Sequence, residues 1–283
     1  MEQTTGRAAY RACRDTLLRH RDDYDAAVAA FRWPDIGDRF NWALDWFDPF
    51  AAGNPRIALR IIGADGSDCS YSFAELAARS DRLATSLAAD GVAPGDRVMV
   101  MLGNQLELWE SMLAVMKLGA VIMPATTALG PKEIADRIGR GSVRHVITNA
   151  DQVGKFEDIP GDFGRVTVGE APRRWRPYRL ADAAALPSRP TTGADDPMLI
   201  YFTSGTTSHP KLVEHTHKSY PVGHLSTMYF IGLRPGDVHL NISSPGWAKH
   251  AWSSFFAPWI AESTILVYNY VRFDASRFLA MLR

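Results

Sequence analysis

Tyr201-Phe202-Thr203-Ser204-Gly205-Thr206-Thr207-Ser208-His209-Pro210-Lys211 directly follows the apolar run Met198-Leu199-Ile200. A buried strand therefore opens into a turn of hydroxyl residues set around one glycine and closed by Pro-Lys. Gly205 allows backbone N–H groups to approach an anion closely and to take the dihedrals of an anion-binding nest. The hydroxyls can donate to phosphate oxygens, and the Lys211 ammonium supplies a point charge. The pattern differs from the common nucleotide loop, which places a second glycine immediately before its lysine; here His209-Pro210 occupies that place. Ser/Thr/Gly turns are frequent on protein surfaces. The order of all eleven residues after an apolar strand is what points to a polyphosphate.

Upstream of this loop, short apolar runs alternate with helical patterns. Arg97 to Leu102, Ala120 to Pro124 and His145 to Thr148 are expected strands, and Glu107 to Leu118 and Pro131 to Gly139 the helices between them. Such alternation means βαβ units and an α/β fold with a parallel sheet covered on both faces. Before it, Ile57 to Ile62 and Ser70 to Phe73 flank the turn Ala64-Asp65-Gly66, which has hairpin chemistry. Ser72 with Glu75 forms a Ser-x-x-Glu capping box for a helix running to about Ala89. Residues 7 to 31 have helical spacing. The Trp33-Pro34 break and the aromatic cluster Phe40, Trp42, Trp46, Phe47 and Phe50 follow.

Residues 151 to 196 give weaker signals, and Pro187 to Gly193 is the most linker-like stretch. A boundary there divides the chain into 1–190, an N-terminal α/β subdomain, and 191–283, the start of a second α/β subdomain that carries the loop. Downstream, a helical signal covers 216 to 230. Strands are expected near 238 to 242 and 264 to 268 with an aromatic helix over 247 to 260 between them. The helix from Asp274 meets no stop signal before Arg283, the pattern of a truncated chain.

The 283 residues carry 31 basic and 31 acidic side chains, so no net charge favours nucleic acid. Cys13 and Cys69 match no metal spacing and make no disulfide framework, which suits a reducing cytoplasm. The N-terminus lacks an apolar signal core, and the longest apolar run, Val115 to Ala125, is broken by Lys117, Gly119 and Pro124. His215-Thr216-His217 has H-x-H spacing without a carboxylate or cysteine set to complete it, so no metal ligands are assigned. The run Arg173-Arg174-x-Arg176 suits a solvated loop. Trp247, His250, Trp252, Phe255, Phe256 and Trp259 recur at helical spacing, either as core or as the wall of a pocket.

The loop resembles the signature phosphate loop of the adenylate-forming superfamily, Tyr-x-Ser/Thr-Ser-Gly-Thr-Thr-Gly-x-Pro-Lys. Thr203 to Thr207 and Pro210-Lys211 match it, and Ser208 stands in place of the last glycine. The likeness extends through Ser70 to Leu76, Gly95-Asp96-Arg97-Val98, Lys117 to Pro124, and Val213-Glu214-His215-Thr216-His217. Phe40-Asn41-Trp42-Ala43, Glu214-His215, Gly236-Asp237-Val238 and Ser244 to Trp247 are most similar to acetyl-CoA synthetases and medium-chain or aromatic acyl-CoA ligases.

The resemblance implies the layered βαβ sheets of the adenylate-forming N-terminal domain. It also implies a two-step ligation in which ATP with Mg²⁺ activates a carboxylic acid as acyl-AMP and CoA accepts the acyl group. Thr203, Ser204, Gly205, Thr206, Thr207 and Lys211 would then hold the β- and γ-phosphates, and Trp247 and His250 would be acyl-pocket candidates. The family's adenine-, magnesium- and ribose-binding segments, hinge and C-terminal lysine have no counterpart here, so no catalytic residue is assigned within these residues and the chain alone is expected to be nearly inert. The alternatives are an enzyme that loads a carrier protein, and a non-catalytic half-domain that binds nucleotide or a partner and self-associates through exposed edges.

Overall fold

The computed structural model describes residues 2–184, 190–203 and 210–282. Eleven strands are found among them: β1 (Ile57–Ile62), β2 (Asp68–Ser72), β3 (Arg97–Met101), β4 (Val121–Pro124), β5 (His145–Asn149), β6 (Gly164–Val168), β7 (Arg176–Pro177), β8 (Pro197–Thr203), β9 (Lys211–Thr216), β10 (Val238–Leu240) and β11 (Thr264–Tyr268). They form a seven-stranded sheet ordered β7-β6-β5-β3-β4-β8-β9 and a four-stranded sheet ordered β10-β11-β1-β2. Every pair in the larger sheet is parallel except the β8–β9 hairpin. Each sheet draws strands from both sides of residue 190.

Side-chain alternation explains why β3 and β4 form the middle of the larger sheet. Val98, Val100 and Ile122 point into a core shared with the smaller sheet. Met99, Met101, Val121 and Met123 point to the opposite face, where Ile134 and Ile138 of helix Pro131–Gly141 and Phe156 cover them. A strand buried on both faces has no polar alternation, which is why these runs read as continuous apolar segments. The Ser72–Glu75 capping box forms as expected: the Ser72 hydroxyl accepts from Glu75 N while the Glu75 carboxylate accepts from Ser72 N.

Four local expectations change. β9 runs along β8 over Lys211–Thr216, where no strand is expected, and the helix expected over 216 to 230 is Ser219–Ile231. β6 and β7 lie in the stretch of weak signal. Arg173 and Arg174 lie in an exposed turn as expected, while Arg176, also exposed, enters the short strand β7 and pairs with Asp90. The aromatic helix is Ala248–Ala251 and Ala257–Ile260 joined by a wide π-turn, Trp252–Phe256, with Ser254 outside helical dihedrals at φ −124°.

A second π-turn, Ala43–Phe47, faces the first. Trp42 packs on Phe255 and Phe256, and Phe47 on Trp259, with ring centroids 4.8 to 5.7 Å apart. Arg14 of helix Glu2–Arg19 locks the far end: its guanidinium donates to the carbonyls of Ile260 and Ala261 and pairs with Glu262. Those carbonyls are among the orphans that every helix C-terminus leaves.

Lys117 ends helix Leu106–Lys117, and Gly119 follows at φ +67°, the left-handed residue that lets Ala120 N bond back to Val115 O and enter β4. The Lys117 side chain is fully buried; its ammonium bonds Asp48 and Asp81, each at 2.7 Å, and the Ala77 carbonyl at 3.2 Å. It therefore ties three helical segments together beneath the sheet. Lys117→Met keeps the length and removes the charge, leaving two partly hydrated carboxylates without their cation. The expected cost is about 2–3 kcal/mol, read as a lowered urea midpoint; it sits below the range for fully buried pairs because both carboxylates retain some water.

Candidate functional site

The carboxyl ends of parallel strands collect ligand-binding loops because the crossovers leave a crevice there. In this chain the ends of β3, β4 and β8 lie side by side in that order, and the residues following them are Leu102-Gly103-Asn104, Ala125-Thr126-Thr127 and the loop after Thr203. At the usual strand spacing the ends of β3 and β8 are about 10 Å apart. Lys155 reaches in from the turn after β5 and donates to the Thr127 carbonyl at 2.7 Å.

Of the loop residues, Thr203 is the last of β8 and Lys211 the first of β9, and the two are directly paired. β8 and β9 thus form the base of an antiparallel hairpin anchored in the larger sheet. Lys211 is exposed and makes no ion pair to any described residue. Ser204, Gly205, Thr206 and Thr207, with Ser208, lie outside the described residues. The hairpin base is held from below by helix Pro131–Gly141: the Arg137 and Arg140 guanidinium groups lie 5.4 and 5.5 Å from the centre of the Phe202 ring, and Arg140 donates to the Pro210 carbonyl at 2.7 Å. Sequence reasoning missed this bracket. Its signal was two arginines three apart on one helix, which becomes meaningful only once Phe202 is known to face them.

Trp247 and His250 part company. Trp247 precedes helix Ala248–Ala251 and is 61% exposed; His250 is 3% exposed. Gly246 explains the path between strand and helix. At φ +90° it presses on the backbone after β4, where an added Cβ would meet Thr126 N at 2.3 Å. The Ser244–Trp247 turn therefore lies over the end of β4, the strand between β3 and β8.

His250 Nε2 bonds Asn104 Oδ1 at 3.1 Å, and Asn269 Nδ2 donates to the Asn104 carbonyl at 2.9 Å. The irregular Ser254 contributes twice: its carbonyl accepts from Trp109 Nε1 at 2.8 Å, and its hydroxyl bonds Asn241 Nδ2 at 2.9 Å. A π-turn frees main-chain groups that an α-helix would consume, and such turns concentrate at functional positions. The result is a pocket of about 210 Å³ where the carboxyl ends of β10 and β11 meet the residue after β3, lined by Asn104, Asn241, Ser244, Asn269 and Tyr270 among others. Among the described residues no group of three or more His, Cys, Asp or Glu could hold a metal ion.

Burial depresses three imidazoles: His217, against an opposing pull from Asp196, and His250 to about 4, and His224, where His215 adds to the effect, to about 3. Each stays neutral in the folded chain at pH values where an unfolded histidine, near 6.5, is already protonated. The unfolded state then binds more protons, so stability rises with pH between about 4 and 6.5 and is lost on acidification through that window. The urea midpoint is expected to fall steeply from pH 7 to pH 4. His250→Gln should flatten the slope by removing a contribution of about 2–3 kcal/mol; an unchanged slope would show that His250 is not held neutral.

Residues 47–283 match the family profile described as AMP-binding enzyme. The chain is 33% identical over 247 residues to 4-hydroxybutyrate–CoA ligase 1 of Metallosphaera sedula, covering 85% of this chain and 43% of that protein. It is 31% identical over 296 residues to the human mitochondrial acyl-coenzyme A synthetase ACSM3, covering 98% of this chain and 50% of the relative. Among solved structures, an acyl-CoA synthetase of Brucella canis superposes with a TM-score of 0.76 at 26% identity over 92% of this chain and 50% of the other. An anthranilate CoA ligase, AuaEII, shares the fold with a TM-score of 0.74 at 20% identity, covering 87% of this chain and 48% of that one. The chain spans about half the length of the curated relatives it matches. No described helix is long and apolar enough to cross a membrane. With the layered α/β sheets and these likenesses agreeing, the chain belongs to the AMP-binding enzyme family, within the adenylate-forming superfamily.

Proposed function

We propose that this chain supplies the phosphate-binding half of an AMP-forming acid–thiol ligase of the acyl-CoA synthetase kind. The observation that carries the proposal is the hairpin: Lys211, free of any ion pair to a described residue, opposite Thr203 at the carboxyl end of β8. In the first step a substrate carboxylate oxygen attacks the α-phosphorus of ATP. The bond to the β-phosphate oxygen breaks, and pyrophosphate leaves as acyl-AMP forms. In the second step the sulfur of CoA, having lost its proton, attacks the acyl carbonyl and AMP departs. The loop hydroxyls and Lys211 would bind the β- and γ-phosphates, and Lys211 would offset charge as pyrophosphate leaves. Mg²⁺ would enter with the nucleotide. The acid, ATP and CoA are all drawn from the family likeness, and the relatives' names support CoA as acceptor. Cys13 and Cys69, both free thiols, suit a reducing compartment such as the cytoplasm.

Product analysis tests this reading. The intact gene product carrying these residues, given ATP, a panel of carboxylic acids and CoA, should form AMP, pyrophosphate and acyl-CoA in equal amounts. ADP and phosphate as products would overturn it. AMP formation with acylation of a carrier protein and not of CoA would leave adenylation standing and correct the acceptor.

A further inference from the structure

The pocket beside Asn104 has no charged side chain in its lining; asparagine amides, a serine hydroxyl and the rings of Tyr268 and Tyr270, each with a neutral phenol, are set against the aliphatic side chains of Leu240, Ile242 and Val267. The amides are divided in use. Asn104 Oδ1 is taken by His250, Asn269 Nδ2 by the Asn104 carbonyl and Asn241 Nδ2 by Ser254. Among the described residues, Asn104 Nδ2 is thereby left as a donor, Asn269 Oδ1 as an acceptor, and the Ser244 hydroxyl as either. Their orientation is fixed from behind, because His250 is buried and Ser254 is held by Trp109.

The location matters as much as the lining. The Ser244–Trp247 turn crosses the end of β4, with Gly246 against Thr126. The pocket thus lies to one side of that crossing and the phosphate hairpin to the other, with the ends of β3 and β8 about 10 Å apart. A small carboxylic acid presented to the α-phosphate from this side would extend into the pocket.

We propose that the pocket receives the far end of the carboxylic acid substrate, and that this end carries a neutral group able both to donate and to accept hydrogen bonds, a hydroxyl or a carboxamide on a short aliphatic chain. The inference rests on the acid-activating reading above. An ammonium or a second carboxylate would be desolvated here without a counter-ion. A purely apolar end would displace water from the amides and return no hydrogen bond. The aliphatic wall suits the methylene stem and the amides suit its polar end, the usual division of a small-molecule pocket.

The test uses ATP–pyrophosphate exchange by the intact gene product with paired short linear acids, one of each pair bearing a terminal hydroxyl. The hydroxylated member should be preferred at least about a hundredfold in kcat/KM, since a site built around a substrate hydroxyl rejects the analogue lacking it. Ser244→Ala, at an exposed side chain without a described partner, and Asn269→Leu should each cut that preference about tenfold. The change should fall on kcat/KM for the hydroxylated acid and not on KM for ATP. Ser244→Ala guards against misfolding of the Asn269 variant, because it removes no bond of the fold. Equal use of both acids in a working exchange would overturn the inference and leave acid activation intact. A rise in KM for ATP with an unchanged acid preference would assign the pocket to the nucleotide and overturn it as well. No exchange with any acid would bring down both readings.

Discussion

Lys211→Ala is expected to lower acid-dependent AMP formation by the intact gene product about 10²–10³-fold, the usual loss when one preorganised charge-stabilising group is removed from a reacting centre. The reason is local. Lys211 is exposed, is bound to no carboxylate among the described residues, and is fixed at its backbone by pairing with Thr203. The hairpin holds the Cα, so binding a polyphosphate need order only the side chain, and the ammonium need break no existing ion pair. The thermal midpoint should be nearly unchanged for the same reason. Lys211→Arg keeps the charge but replaces a compact ammonium by a planar fork, and should recover only part of the rate. A rate for Lys211→Ala within about threefold of the parent would remove the lysine from the phosphate site.

The largest stability effect is expected at Trp259. Its ring is fully buried among Phe47, Phe73 and Phe255, its indole N–H donates to the Ala58 carbonyl on β1 at 3.1 Å, and its own carbonyl accepts from Trp46 Nε1 at 3.3 Å. Trp259→Ala should cost about 3–5 kcal/mol, through the lost apolar burial, the cavity left behind and an unpaired Ala58 carbonyl. Urea unfolding with two probes would measure it. The consequence reaches the site, because the helical run that ends near Trp259 begins at Ala248 and carries His250 and Ser254. Trp259→Phe, which refills much of the space and loses the hydrogen bond, should cost distinctly less. Equal costs for the two variants would mean that packing contributes little there.

Much of the architecture is visible in the residues. The continuous apolar runs at β3 and β4 can only be strands covered on both faces, and Ser72 with Glu75 marks a helix start whose hydrogen bonds form as the spacing dictates. β9 was hidden for a physical reason. Lys211 to Thr216 form an edge strand with exposed and half-buried side chains, and its partner β8, not its own pattern, makes it a strand. The π-turn Trp252–Phe256 was hidden because aromatic residues at helical spacing look alike whether the backbone takes 3.6 or more residues per turn; the Ser254 dihedrals mark the difference.

The candidate site divides in the same way. Thr203 and Lys211 were legible because a chemical motif is local in sequence, and the sheet places them opposite one another. His250 was legible as a candidate, while Asn104, Asn241 and Asn269 were not. Three asparagines spread over 166 positions carry no shared period, and they meet only because the strands preceding them end at the same crevice. The buried Lys117 was legible as a residue in a turn motif, but its two carboxylate partners belong to other helical segments.

The most direct measurement of the central claim is acid-dependent exchange of labelled pyrophosphate into ATP by the intact gene product in the absence of CoA. Exchange that requires a carboxylic acid, and that Lys211→Ala suppresses, is the expected result, because only a reversible attack of carboxylate on the α-phosphate returns label to ATP without an acceptor thiol. Exchange that runs without any acid, or that Lys211→Ala leaves unchanged, would contradict adenylation at the β8–β9 hairpin.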